Sequence, residues 1–203
     1  MYRHIPINRV TVAPTLWPVT TAQVKTNAHI VSDTTYDEFI HSTTDTTFGL
    51  IPEATRYVEQ LANRSLLTQT RVQYYDDLYE YLYFRYSPVQ SITSITYKDS
   101  NEATQTLSST LYTLDAKSYP ARINVGYNDT YPTAICDTNS VAVTAVCGWT
   151  SAALVPVIYR RAVILMCTQR LYNRMGLACM SEQELQDNLL AMLSLEGATL
   201  EYA

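Results

Sequence analysis

The sequence predicts an α+β fold: an α-helical bundle of N-terminal and C-terminal helices that carries a central antiparallel β insertion. Apolar residues recur at helical spacing up to Asn63 and again from Pro156 onward. Between Leu66 and Trp149 the period changes to two, in segments rich in Thr, Val, Ile and Tyr. Three Ser/Thr-x-x-Glu/Gln pairs, Thr20 with Gln23, Thr35 with Glu38 and Ser181 with Glu184, have the spacing of capping boxes at helix starts.

Residues 1–19 contain Pro6, Pro14 and Pro18 and show no helical period. They are expected to form an extended arm that lies on something else. The first helix is expected from Thr20 to about Val31, the second around Tyr36–His41. A third carries Leu50, Ile51, Ala54, Tyr57, Val58 and Leu61 on one face and runs to about Asn63. Pro52 fits only in its first turn, because proline has no N–H to donate and its ring obstructs the preceding turn. The strand-like segments that follow are LLTQTRVQYY, VQSITSITYKD, ATQTL, TLYTLDA, ARINVGY and SVAVTAVCGW. Ser100-Asn101 and Asn128-Asp129 are expected turns.

Helix returns at Pro156, and Val157 to Arg174 is apolar on most sides, as a core helix is. Gly176 is placed to end it in the left-handed conformation. The last helix has an apolar stripe of Leu185, Leu189, Met192 and Leu193, with Gly197 as its stop. The expected organisation is an arm over 1–19, a bundle from 20–65 and 154–176, an insertion over 66–150, and a C-terminal helix and tail over 177–203.

Only 16% of the 203 residues are charged, while 47% are hydrophobic and 17 are tyrosine. Low charge with abundant tyrosine suits surfaces that are buried against a partner. The net charge of −5 lacks the basic stripe that a dedicated nucleic-acid binder uses to displace phosphate counterions. The adjacent pair Arg160-Arg161 lies inside an apolar helical pattern. MYRHIPINRV does not resemble a secretory leader, and Val155 to Cys167 is too short and too charged to span a bilayer. The expectation is a soluble protein made in a host cytoplasm, with no membrane partner.

No pattern for catalysis emerges. The five glycines are too scattered for a nucleophile elbow or a phosphate-cradling loop. Cys136, Cys147, Cys167 and Cys179 lack the paired spacing of a zinc site and are expected as free thiols, buried or half-buried. His4, His29 and His41 lack metal spacing. Asp76, Asp77 and Glu80 form the densest acidic cluster and are expected at a solvated strand end. No enzyme activity, cofactor or metal is expected.

The run YYDDLYEYLYFRY, Tyr74 to Tyr86, has two main readings. As one strand it places Tyr75, Tyr79, Tyr81 and Tyr83 on one face, and Leu78, Leu82, Phe84 and Tyr86 on the other. That tyrosine face either packs inside the β block or contacts an adjacent subunit. A base-stacking platform would need a basic groove that the sequence does not supply.

The segment YVEQLANRSLLTQT resembles the bacteriophage head–tail connector (adaptor) family in its Tyr57-x-Glu59, its Arg64-x-Leu66 turn, and its Gln69-Thr70 entering a strand. Further pieces match in order: PVTTAQVK from Pro18, SPVQSITSITYKD from Ser87, Tyr112 with Leu114, Pro120-Ala121-Arg122, Val155-Pro156, and Asn173-Arg174. The Ser32–Phe48 stretch is longer than the family pattern, and no motif anchors the chain after Gly176. The resemblance implies a virion neck component without catalysis. It would form a ring, usually dodecameric, beneath the portal protein, bind a downstream neck or tail protein, and let double-stranded DNA pass without specific binding. On that reading Leu185, Leu189, Met192 and Leu193 dock on the portal, unless the last helix folds back on its own bundle. A rival from another class is a tail or baseplate module whose tyrosines stack on host surface sugars.

Overall fold

The computed structural model describes residues 7–45, 47–126, 129–177 and 180–194. The chain is α+β, and its contacts divide it into two units. One comprises Met1–Pro14 with Thr68–Gly148, the other Thr15–Leu67 with Trp149–Ala203.

The helical unit holds α1 (Thr21–Asn27), α2 (Asp37–Ile40), α3 (Leu50–Ala62), α4 (Val157–Arg174) and α5 (Glu182–Ser194). α4 packs against α1, α3 and α5. Its Tyr159, Ala162, Val163, Met166, Cys167 and Leu171 are buried, at the spacing that puts side chains on one helical face. They meet Val24 of α1 and Ile51, Ala54 and Val58 of α3 in one core. Lys25 of α1, itself buried, pairs with Asp37 of α2 at 2.9 Å.

Two of the three expected capping boxes form. Thr20 accepts the Gln23 N–H while the Gln23 side chain accepts the Thr20 N–H. Ser181 and Glu184 do the same ahead of α5. The Thr35–Glu38 box does not form: α2 starts at Asp37 without a side-chain cap, and Glu38 instead accepts the Thr43 N–H and hydroxyl. Three helices, α1, α3 and α4, are closed by a left-handed residue after the last turn. His29 (φ 54) stops α1 at Asn27, short of the expected Val31, and Asn63 (φ 52) stops α3. Gly176 (φ 73) follows α4, where the Leu177 N–H reaches back to the Tyr172 carbonyl at 2.8 Å. Pro156 is the residue before α4 rather than its first.

The motif residue Glu59 has a structural use. Its buried carboxylate accepts the Leu66 N–H at 2.7 Å, seven residues on, and locks the chain as it leaves α3.

The β unit has two antiparallel sheets. The first contains β1 (Asn8–Val12), β2 (Gln69–Tyr75), β4 (Val89–Lys98), β5 (Thr104–Thr106) and β8 (Val141–Cys147), in the order β1-β2-β8-β4-β5. The second has the order β3-β7-β6, from β3 (Tyr81–Phe84), β6 (Tyr112–Asp115) and β7 (Ala121–Val125). β8 alternates strictly, burying Val141, Val143, Ala145 and Cys147 against Leu82, Phe84, Ala121 and Ile123 of the second sheet. β2 brings polar groups into this interior. Gln73 donates to the Tyr83 carbonyl at 2.8 Å and accepts the Arg85 N–H at 3.0 Å, and Arg71 lies 3.8 Å over the Tyr86 ring.

Two expectations are corrected here. Within the expected arm, Asn8–Val12 is a strand paired with β2, so this part of it lies on its own chain. Prolines on both sides mask so short a strand. The Tyr74–Tyr86 run is not one strand. β2 ends at Tyr75, Asp76–Glu80 turns, and β3 belongs to the other sheet. The Asp76-Asp77 pair breaks the run: Asp76 accepts the Asn139 N–H at 2.9 Å and Asp77 accepts the Leu78 N–H at 2.7 Å. Asn128 and Gly197 lie outside the described residues.

Candidate assembly surfaces

The C-terminal stripe is the first sequence candidate. Leu185, Leu189 and Leu193 are buried in the helical unit's own core with α4, and Met192 is half-buried. Glu184, Gln186, Asp187 and Asn188 are exposed. The apolar face expected to dock on a portal is therefore turned inward, onto its own bundle. The physical reason is local. Gly176 follows α4 and the Ser181 cap starts α5, whose leucines share one core with the buried face of α4.

The tyrosines separate into two groups. Tyr75 is 7% exposed and its hydroxyl donates to the Tyr83 carbonyl at 2.8 Å; burial pushes its pKa up. It is a core residue and shares no face with the other three. Tyr79, Tyr81 and Tyr83 are about half exposed. Tyr81 and Tyr83 stand on the outer face of the three-stranded sheet, because Leu82 and Phe84 occupy the inner one. Across that face Tyr83 registers with Arg122, and Arg122 with Asp115.

Arg122 holds Asp115 with two donors, at 2.8 and 3.3 Å. The guanidinium lowers the Asp115 pKa to about 2, helped by N–H groups of Lys117 and Ser118. The Tyr81 hydroxyl is raised by its hydrogen bond to Glu80 and by that carboxylate's charge. Tyr79 is raised by partial burial, then by the charges of Asp76, Cys136 and Asp77. The outer sheet face thus sets the phenols of Tyr81 and Tyr83 beside a satisfied ion pair, an arrangement suited to protein contact.

A cleft that sequence reading missed lies in the helical unit. It encloses about 440 Å³ and is lined by Phe39, Phe48, Gly49, Tyr57, Arg56 and Arg170, among others. Gly49 builds its floor, with φ +121, and a Cβ there would come within 2.8 Å of the Ile40 carbonyl oxygen and 2.9 Å of the His41 Cα. Only glycine allows this close return of the chain onto α2. Phe48, the residue before it, is left 63% exposed at the rim. Arg170 is paired with Glu53. The signal in the sequence was the Phe48-Gly49 step after TTDTT, at the end of the Ser32–Phe48 stretch.

Among the described residues no group of three or more His, Cys, Asp and Glu could hold a metal ion, and no helix is long and apolar enough to cross a membrane. Cys147 and Cys167 are buried and Cys136 is exposed, all as free thiols; burial pushes Cys167 up to about 12. Cys179 and His4 lie outside the described residues. Arg161 is exposed on α4 and Arg160 half-buried, so the pair does not make a basic stripe.

No protein-family model matches the sequence, and no curated protein matches it. Solved structures do match. A chain in the virion of a native gene transfer agent (GTA) particle superposes with a TM-score of 0.66 at 14% identity, over 90% of this chain and 94% of that one. A chain in the neck of the empty GTA particle, computed with C6 symmetry, gives 0.63 at 14% identity, over 93% and 94%. A chain in the neck of the native particle, computed with C12 symmetry, gives 0.57 at 14%, over 91% and 93%. The chain shares their fold. Because each match spans nearly all of both chains, the likeness takes in both the helical and the β unit.

Proposed function

We propose that this protein is a structural subunit of a virion neck, a head-to-tail connector. It forms a ring beneath the portal, links the capsid to the tail, and surrounds the path of the exiting DNA. The observation that carries the reading is the near end-to-end likeness to chains of GTA virion and neck structures, two of them computed with C12 or C6 symmetry. The order of connector-like motifs from Pro18 to Arg174 supports it independently. A ring is also what a repeated heterologous contact produces when its rotation closes. The exposed phenols of Tyr79, Tyr81 and Tyr83 serve as contact surface in this reading.

The test is to locate the protein in purified particles. Cryo-electron microscopy of necks is expected to show a closed ring of this chain next to the portal. Deleting its gene is expected to leave filled heads without tails. Localisation to the tail tip, with loss of host binding but intact head–tail joining, would overturn the connector reading in favour of a sugar-binding module.

A further inference from the structure

We propose that the Tyr79–Glu80 corner of one copy seats in the Phe39–Phe48–Tyr57 cleft of a second copy, with Arg56 receiving the Glu80 carboxylate. This rests on the ring reading and names the contact that would propagate the ring.

The cleft has the chemistry to take an aromatic residue beside an acid. Phe39, Phe48 and Tyr57 line it, and Arg56 stands exposed among them. The neighbouring carboxylates are already engaged: Glu53 with Arg170, and Asp45 with the Thr47 N–H and hydroxyl. Asp45 still feels the Arg56 charge at longer range, which weakens the surplus without satisfying the guanidinium's donors. A guanidinium with open donors is best met by a carboxylate.

The β unit presents the complement. The turn from Asp76 to Glu80 is held by the hydrogen bonds of Asp76 to Asn139 and of Asp77 to Leu78. Two carboxylates are used to shape the turn, and it projects Tyr79 half exposed and Glu80 exposed. Glu80 accepts from the Tyr81 hydroxyl and keeps further acceptor positions, since a carboxylate has about four. A tyrosine on a fixed turn gives contact area at small entropic cost. Three acids surround it, so its field is opposite in sign to that of Arg56. The two surfaces differ, so a contact made in one direction from each copy to the next is heterologous. Repeated, it must close into a ring or extend into a filament.

Photo-crosslinking of the full chain, with p-benzoylphenylalanine in place of Tyr79, tests this in neck particles assembled from mixed isotope-labelled and unlabelled copies. Adducts that join differently labelled copies are expected at Phe39, at Arg170 or within residues 47–60. Adducts between copies that fall elsewhere overturn this contact and leave the ring intact; no adduct between copies at all counts against both contact and ring. Arg56→Glu and Glu80→Arg, both at exposed positions, are each expected to weaken self-association about tenfold or more. The two variants mixed in equal amounts are expected to recover assembly, because alternating copies pair the wild-type Glu80 with the wild-type Arg56 at one interface and the two introduced, opposite charges at the next. The double variant in one chain restores the pair at every interface and is expected to recover assembly. Failure of that recovery, with both single variants folded by circular dichroism, overturns the Arg56–Glu80 pairing.

Discussion

Replacing Leu189 by alanine tests where the C-terminal helix belongs. Leu189 is fully buried, between Leu185 and Leu193 on the face that α5 turns to its own core. Removing its isobutyl group loses the transfer free energy of the buried atoms and leaves a cavity that the neighbouring side chains fill only in part. Leucine-to-alanine changes at such sites cost about 2–5 kcal/mol. For a chain of this length each kcal/mol lowers the melting temperature by roughly 2–4 °C, so a fall of about 4–20 °C is expected. Met192→Ala, at a half-buried position, is expected to cost less, and Leu189→Asp more, since it places a carboxylate among apolar groups. Thermal unfolding of the free subunit by circular dichroism reads all three. An unchanged melting temperature for Leu189→Asp, together with lost attachment to portals, would show that the stripe faces outward in solution and would refute the packing argument.

Glu59→Ala is expected to destabilise the subunit by about 1–3 kcal/mol, because the buried Leu66 N–H loses its acceptor; a melting temperature equal to that of the wild type would contradict the turn-lock role. Asp115 is expected to titrate near pH 2 by carboxyl NMR, and Arg122→Ala to return it toward 3.8. Since its folded pKa is depressed, the stabilisation it contributes is present above about pH 3.8 and fades as pH falls toward 2. A wild-type midpoint near 4 would mean that the ion pair is not held in solution. Duplex DNA is expected to bind the isolated subunit with a dissociation constant of about 10⁻⁴ M or weaker at physiological salt, given the net charge of −5 and no basic stripe; submicromolar binding with a steep salt slope would make Arg160 and Arg161 functional residues.

The parts of the fold legible in the sequence were those decided locally. Thr20 and Ser181 cap because their side chains reach an N–H three residues on, and Gly176 closes α4 because it accepts a positive φ at little cost. β8 was legible because VAVTAVC alternates between a buried and a half-buried face. Thr35 failed as a cap because Glu38 had a competing partner in Thr43, which the spacing alone does not reveal. The tyrosine run was misread because apolar residues on both faces leave period-two patterning silent about a break. The break is set by where Asp76 and Asp77 find N–H partners, one of them 63 residues away in Asn139.

The candidate surfaces were harder to read for a related reason. An amphipathic helix has the same sequence pattern whether its apolar stripe meets its own bundle or another protein. For α5 the choice depends on whether α4 has an uncovered face, which is a tertiary fact. The same ambiguity runs the other way for the cleft. Phe48, Phe39 and Tyr57 read as ordinary helix and loop aromatics, yet the φ of Gly49 folds the chain back so that Phe48 stays in water. Burial consumed the surface that looked adhesive, while backbone geometry exposed one that did not. Among the described residues, a chain with few charges thus keeps exposed aromatics at places that include two of opposite electrostatic character, an acidic tyrosine corner and an arginine-bearing cleft. Partners that meet through such places are selected by charge as well as by area, which favours one register over the many that aromatic contact alone would permit.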